Sequence, residues 1–444
     1  MRIPVADAAR ATGARLVGDG STVCNGVSYD SRALVAGNLF VAIVAARDGH
    51  DFVADAESAG CGAVLVAREI PGCRVPQIVV HDTSAALTEL GRWARARLAG
   101  RVDGRVVGIT GSVGKTTTKD YVATALRSRF RVGASEKSLN NDQGMPVTLL
   151  NSPDDAEALV LEMGMRGFGE IARLAVLARP DIVVVTRVGE SHGERVGGID
   201  GVARAKGELV ESLPSTGIAI LNADDPRVAA MTGLTDARVF TYGSADDADM
   251  RFFDVVQHGA DGVTFHFASR WGGGACRLPT PGAHMVSNAA AALLVAAVTD
   301  CDVAAAAMAL GQSQLSPMRM AIHRAAGLTI VDDSYNASPT SVIAALDALV
   351  SMPAVRRVAV LGLMAEIAES EQMHRSVAAH AARLGVEVVA VGTDLYGAPR
   401  LDDHDEVVSF VRGLPADSAV LFKASRVVGL DRIVARLVAP NIGT

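Results

Sequence analysis

Residues 106–118 read Val106-Val-Gly-Ile-Thr110-Gly111-Ser112-Val-Gly114-Lys115-Thr116-Thr117-Thr118. An apolar β-branched run, then a glycine-punctuated turn, then Gly-Lys-Thr, is the signature of a strand that enters a phosphate loop and opens a helix. The glycines let backbone N–H groups point inward at phosphate oxygens. The helix N-terminus adds partial positive charge, the lysine reaches the terminal phosphates, and the first threonine hydroxyl can hold Mg²⁺. The usual pattern places a glycine five residues before Gly114. Here that residue is Ile109, so the loop is a variant that starts at Thr110-Gly111. The plain alternative is an ordinary strand-turn-helix junction without a ligand. Gly111, Ser112, Gly114, Lys115, Thr116 and Thr117 are therefore the candidate nucleotide-holding residues.

Outward from this loop the same architecture repeats. Short Val- and Ile-rich runs recur at 159–163, 181–188, 217–221, 328–332, 357–362, 386–391 and 419–423, separated by stretches of helical pattern. Continuous apolar strands that alternate with helices predict parallel sheets covered on both faces, hence an α/β fold. A chain of 444 residues, at roughly 150 per domain, has room for about three domains. Gly-punctuated connectors at Leu98–Gly104 and Ser313–Pro317 predict boundaries that give 1–103, 104–314 and 315–444. An Ala-rich helix is expected at about 284–299, and residues 249–280 suggest a small β-hairpin excursion.

Composition narrows the function. Lys plus Arg is 42 and Asp plus Glu is 49, a net charge of −7, which argues against a nucleic-acid binder with its basic stripe. No apolar run reaches the roughly 20 residues of a membrane span, and the N-terminus carries no apolar signal core. The five cysteines have no Cys-x-x-Cys spacing, which favours a reduced cytoplasm over a disulfide or zinc framework. A cytoplasmic monomer is the expectation.

Other motifs are weaker when read alone. Glu162 ends the apolar run ALVLEM at the strand edge where α/β sheets place ligands, and a carboxylate there suits Mg²⁺. A solvated strand-end glutamate is the bland reading. His192, in Gly189-Glu-Ser-His192, reads as a surface histidine or an ion ligand. Lys206, in Ala203-Arg-Ala-Lys206-Gly-Glu-Leu209, reads as a solvated helix lysine beside Glu208. Asn288 begins the Ala-rich helix on the face of His284, where its amide either reads an adenine edge or caps the helix. Ser31 and Arg32 form a common surface tripeptide with Asp30. Lys423, Ser425 and Arg426 make a basic strand end that can pair a carboxylate.

Taken in order along the chain, these motifs resemble the Mur ligases, the ATP-dependent amide-forming enzymes of peptidoglycan assembly. Val27–Arg32, Gly37–Ala42 and Asp48–Phe52 resemble the family's UDP-sugar domain. TGSVGKTTT, Asn140-Asn141-Asp-Gln-Gly-Met-Pro146, Glu162–Gly167 and Ala203–Leu209 resemble its central P-loop ATPase domain, and Asp332-Asp333-Ser-Tyr-Asn336-Ala-Ser-Pro339 and Lys423–Arg426 its C-terminal Rossmann-like domain. The pattern is similar to the type that adds D-alanyl-D-alanine to a UDP-muramoyl-tripeptide. The resemblance implies three α/β domains, ATP and two Mg²⁺ ions, with Thr116, Glu162, His192 and a carbamylated Lys206 at the metals. It implies that Ser31, Arg32, Asn140 and Asn141 meet the UDP-muramoyl-peptide. It further implies that Arg319 reaches the ATP phosphates when the domains close, Asn288 meets the adenine, Asp333 lies at the ribose and Asn336 belongs to the dipeptide site. Lys423 and Arg426 can then meet the amine substrate's carboxylate.

Departures cluster in the third domain. The family's usual Gly-Asp-Met is Gly362-Leu363-Met364, its hinge Gly-Arg-Met-Glu is Met318-Arg-Met-Ala321, and its Lys-Gly-Ser-Arg is Lys423-Ala424-Ser-Arg426. Three readings therefore stand: the dipeptide-adding ligase, a paralogue that joins a different acid and amine, and a non-catalytic nucleotide-binding scaffold.

Overall fold

A computed structural model of the chain describes residues 1–136, 138–190, 193–365, 367 and 370–439. Its sheets follow the chain in three successive stretches. The N-terminal stretch builds a five-stranded sheet, ordered Arg15–Val17, Gln77–Val79, Ala63–Val66, Leu39–Val41, Val27–Ser28. The helix Thr83–Leu98 follows; Asp82 starts it by accepting from the N–H groups of Ser84 and Ala85 at 2.8 and 3.0 Å. That cap satisfies donors the first helical turn leaves unpaired.

The central stretch forms a nine-stranded sheet. The strand Val106–Thr110 lies inside it, between Ile182–Val185 on one side and Ala158–Glu162 on the other, all parallel. These strands are fully buried, as their unbroken apolar sequences require. The helix Lys115–Leu126 packs on the helix His284–Val298. From Ala289 to Ala297 the latter is almost wholly inaccessible, and its alanines let the two helices approach closely.

Residues 249–280 are more than a hairpin excursion. The strands Met250–Gln257, Val263–Ser269 and Gly272–Leu278 extend the central sheet: the first pairs in parallel with Arg238–Gly243, and the other two add antiparallel. The surplus of Val, Phe and Gly there serves a sheet edge. In the third stretch six strands run in the order Ala321–Ala325, Leu328–Asp332, Ala419–Lys423, Arg357–Gly362, Glu387–Val391, Arg400–Leu401. All but the first, an antiparallel edge, are parallel.

The 98–104 connector is not a gap in the packing. One buried cluster runs from Ile3 through Leu87 and Leu98 to Leu161 and Leu209. Arg95, inside the helix Thr83–Leu98, donates to the carbonyls of Ala178 at 2.6 Å and Arg179 at 3.2 Å. No helix among the described residues is long and apolar enough to cross a membrane.

Candidate active site at the carboxyl edge of the central sheet

Three adjacent strands end together. Glu162 is registered with Ile109, and Val185 with Thr110. Their carboxyl ends therefore gather the phosphate loop, Glu162 and Thr186 in one crevice, where open α/β sheets bind ligands.

Two glycines shape the loop. Gly111 has φ +151°, and a Cβ on it would lie 1.8 Å from Thr186 Oγ1. Gly114 has φ +83° and begins the helix; a Cβ there would meet Asn288 Oδ1 at 2.6 Å. Neither position accepts a side chain. Ser112 Oγ donates to Gly189 O at 3.0 Å and accepts from Gly189 N–H at 2.9 Å, tying the loop to the next strand's end. Lys115 Nζ curls back to the carbonyls of Gly111 at 2.8 Å and Ser112 at 3.4 Å, so its charge sits over the loop's concave side.

Thr116 and Thr117 are buried. Thr116 Oγ1 donates to Glu162 Oε2 at 2.6 Å, and Asn140 Nδ2 donates to Glu162 Oε1 at 2.8 Å. A hydroxyl and a carboxylate beside a phosphate loop are the hard oxygen donors that Mg²⁺ prefers. No group of three His, Cys, Asp or Glu side chains that could cage a metal occurs among the described residues. Such a small protein donor set fits Mg²⁺, which keeps waters and shares substrate phosphates. The expected ligand His192 lies outside the described residues.

Lys206 departs from the solvated reading. It is 2% exposed on the helix Gly198–Glu211. Burial, then the nearby charge of Lys115, pushes its amine well below the ordinary lysine range. Glu208 is not its neutraliser: that carboxylate accepts from the N–H groups of Gly169 and Ala172 at 2.7 and 3.2 Å, at the start of the helix Glu170–Ala178. A buried neutral amine is the form that can react with CO₂.

From the third stretch Arg319 reaches into the same crevice. Its Nη2 donates to Thr116 Oγ1 at 2.8 Å and Ser138 Oγ at 3.2 Å, and its guanidinium lies 4.4 Å over the Tyr335 ring. Its buried Nε has no partner among the described residues. Met318 and Met320 on either side hold left-handed φ values of +61° and +53°. Asn288 Oδ1 accepts from Thr118 Oγ1 at 3.2 Å, so its amide backs the loop at Gly114. Beside it, burial pushes His284 down to about 4, leaving it neutral.

The Mur ligase middle domain matches residues 109–296, and the Mur ligase glutamate ligase domain matches 318–437. The chain is 34% identical over 440 residues to the UDP-N-acetylmuramoyl-tripeptide–D-alanyl-D-alanine ligase of Bacillus subtilis, covering 94% of each. It is 36% identical over 470 residues to the enzyme of that name from Mycobacterium tuberculosis H37Rv, covering 94% of this chain and 92% of the other. The chain belongs to the Mur ligase family. Two solved structures agree. MurF from Acinetobacter baumannii superposes with a TM-score of 0.86 at 28% identity, covering 99% of both chains. MurF from Thermotoga maritima in complex with ADP gives 0.78 at 27%, covering 93% of this chain and 97% of the other.

The substrate ends of this Mur ligase are less open than the sequence suggests. Ser31 and Arg32 lie in a 3₁₀ turn, and the Arg32 fork closes on Asp30, with Nε and Nη2 at 2.9 and 2.8 Å from its carboxylate. That pairing holds the Asp30 carboxyl below its usual range. Arg32 must therefore share its guanidinium with any diphosphate. Arg32→Ala should raise the KM for a UDP-linked substrate by about tenfold and leave the KM for ATP unchanged, read from initial rates against each substrate. Equal rises in both would point to a folding defect.

Asn140, expected on the UDP-linked substrate, uses one N–H of its amide to orient Glu162. Asn141 Oδ1 accepts from the N–H of Gly144, the first residue of the helix Gly144–Asn151, at 2.8 Å. In the third stretch Lys423 is buried and ion-paired with Asp333, and it donates to Asn336 O at 3.0 Å. Its expected partner, a substrate carboxylate, has an internal rival. Asp333, expected at a ribose, is held by Lys423 and by Met320 N–H at 3.2 Å. The Asn336 side chain stays exposed. Arg426 pairs with Asp431 at 2.8 Å. Ser138 and Tyr335, which seat Arg319, were missed as individual residues. Their only signal was position: one lies two residues before Asn140, the other inside Asp333-Ser-Tyr-Asn336.

Proposed function

We propose that this chain joins D-alanyl-D-alanine to a UDP-N-acetylmuramoyl-tripeptide, consuming ATP and releasing ADP and phosphate, as a cytoplasmic monomer in peptidoglycan precursor synthesis. The observation that carries the reading is the convergence of Lys115, Thr116, Glu162, the buried Lys206 and Arg319 in one crevice. The full-length similarity to ligases of that name supports the choice of substrates. We assign the UDP-sugar, ATP and amine functions to 1–103, 104–314 and 315–444.

In the chemistry, a carboxylate oxygen of the peptide attacks the γ-phosphorus of ATP and ADP leaves. The amine then attacks the acyl carbon, phosphate leaves, and a proton is lost as the amide forms. Lys115, the loop N–H groups and Arg319 offset phosphate charge during the first transfer. Thr116 and Glu162 would hold Mg²⁺, with Asn140 fixing the carboxylate, and a carbamate on Lys206 would supply a further anion. The ion, when bound, draws charge from the transferring phosphoryl group. The reactive acyl phosphate requires water to be excluded, which closure of the third stretch over the crevice accomplishes.

A second reading, a paralogue with another acid and amine, is favoured by the departures in the third stretch. Ala424 is fully buried, where a Cβ on Gly362 would lie 2.7 Å from its methyl, and Leu363 and Ala321 lack the acids usual there. A scaffold without catalysis fits poorly with the intact Lys115, Thr116, Glu162 and Lys206. Competition between D-alanyl-D-alanine and other amines, with a fixed UDP-muramoyl-tripeptide and ADP release as readout, separates the first two. D-alanyl-D-alanine should be the preferred amine. No product with it, alongside good product with a different amine, would transfer the assignment to the paralogue.

A further inference from the structure

The segment that carries Arg319 is anchored from the far side of the crevice by a residue with no assigned role. Asp120 lies one turn into the helix that starts at Lys115. Its Oδ2 accepts from Ser316 N–H at 2.8 Å, and its Oδ1 pairs with Lys119 Nζ at 2.9 Å. Both side chains are nearly buried, 13% and 3% exposed. Lys119 Nζ also donates to Ser135 O at 2.7 Å, and Ser135 Oγ accepts from Glu162 N–H at 3.3 Å.

Asp120 is thus fixed to the sheet edge that bears Glu162, while its free oxygen grips the hinge. Three residues further on, Arg319 is thrown into the crevice between two non-glycine residues at positive φ. That backbone is disfavoured for methionine and persists only where neighbours impose it. Two carboxylates do so by accepting hinge N–H groups: Asp120 from Ser316, and Asp333 from Met320.

We propose that Asp120 is a positioning residue that couples the phosphate-loop helix to the hinge, so that Arg319 is set on the phosphate side of the crevice. The kinetic part of the proposal rests on the ligase reading above; the geometric part does not. If Asp120 acts through the hinge, Asp120→Ala should lower kcat by about 10- to 100-fold, the penalty of a misplaced catalytic group. The KM for the UDP-linked substrate should stay within about twofold. Asp120→Asn keeps an oxygen acceptor for Ser316 N–H and should recover most of the loss. In an Arg319→Ala background Asp120→Ala should cost nothing further, because both remove the same contribution.

Small-angle scattering of the full chain with a non-hydrolysable ATP analogue should give a larger radius of gyration for Asp120→Ala than for wild type. Ser316→Pro removes the N–H without touching the helix. It should reproduce both effects, and it decides the matter if the alanine variant is insoluble. Losses that multiply in the double variant, an asparagine variant as impaired as the alanine one, or unchanged scattering and kcat would each overturn the proposal. A wild-type chain inactive on every UDP-muramoyl peptide would defeat the ligase reading while leaving the scattering comparison intact.

Discussion

Lys115→Ala is expected to remove ligase turnover by at least about 10²- to 10³-fold at saturating ATP and Mg²⁺ while the chain stays folded. The side chain lies against the carbonyls of Gly111 and Ser112, where it adds charge to a loop otherwise built of backbone N–H groups. It is no part of the apolar cores, so its loss should leave the melting temperature near that of wild type. Removing a cation from the path of a transferring phosphoryl group raises the barrier more than it weakens the ground state, so kcat should fall further than KM rises. Measured ADP release within a few-fold of wild type would refute the phosphate-loop assignment.

Lys206→Met should separate activity from stability. Turnover is expected to fall by about 10²- to 10³-fold, as when one preorganised charge is lost from a site. Thermal stability in CO₂-free buffer with a chelator should rise at neutral pH. The sign follows from proton counting. Burial depresses the Lys206 amine well below the ordinary lysine value of 10.5. Between the lowered value and 10.5, the unfolded chain binds a proton that the fold does not, so the group destabilises the fold there and stability grows as pH increases. Methionine fills similar space without that penalty. The melting advantage of the variant should therefore shrink as pH climbs toward 10.5. A variant less stable than wild type at pH 7 would contradict this, as would a bare amine in a well-ordered Mg²⁺-loaded crystal of the wild type contradict the carbamate.

Local chemistry was legible in the sequence, and partner choice was not. The strand Val106–Thr110 and its loop follow from composition and glycine placement, because close approach to a phosphate leaves few alternatives at 111 and 114. The strands at 328–332, 357–362 and 419–423 were equally plain, since apolar runs closed by polar residues have one period to obey. Lys206 looked solvated because burial is a property of what packs over a helix, which no seven-residue window contains. The tie of Asn140 to Glu162 was not legible because it joins a loop residue to a strand end 22 residues further on. The pairing of Lys423 with Asp333 joins residues 90 apart in sequence, across neighbouring strands. The hinge arginine was visible; its seat on Tyr335 and Ser138 required the third sheet to be docked on the second.

The two loop glycines bear on inhibitor design. A compound that leans on the backbone of Gly111 and Gly114 rests on positions where any methyl group meets Thr186 Oγ1 at 1.8 Å or Asn288 Oδ1 at 2.6 Å. Both positions also hold φ values, +151° and +83°, that side chains resist. A resistance mutation cannot enlarge either residue to push the compound away without deforming the candidate nucleotide loop. Mutational escape would have to come from residues other than these two, so contacts invested in the two glycines are the ones evolution can least readily undo.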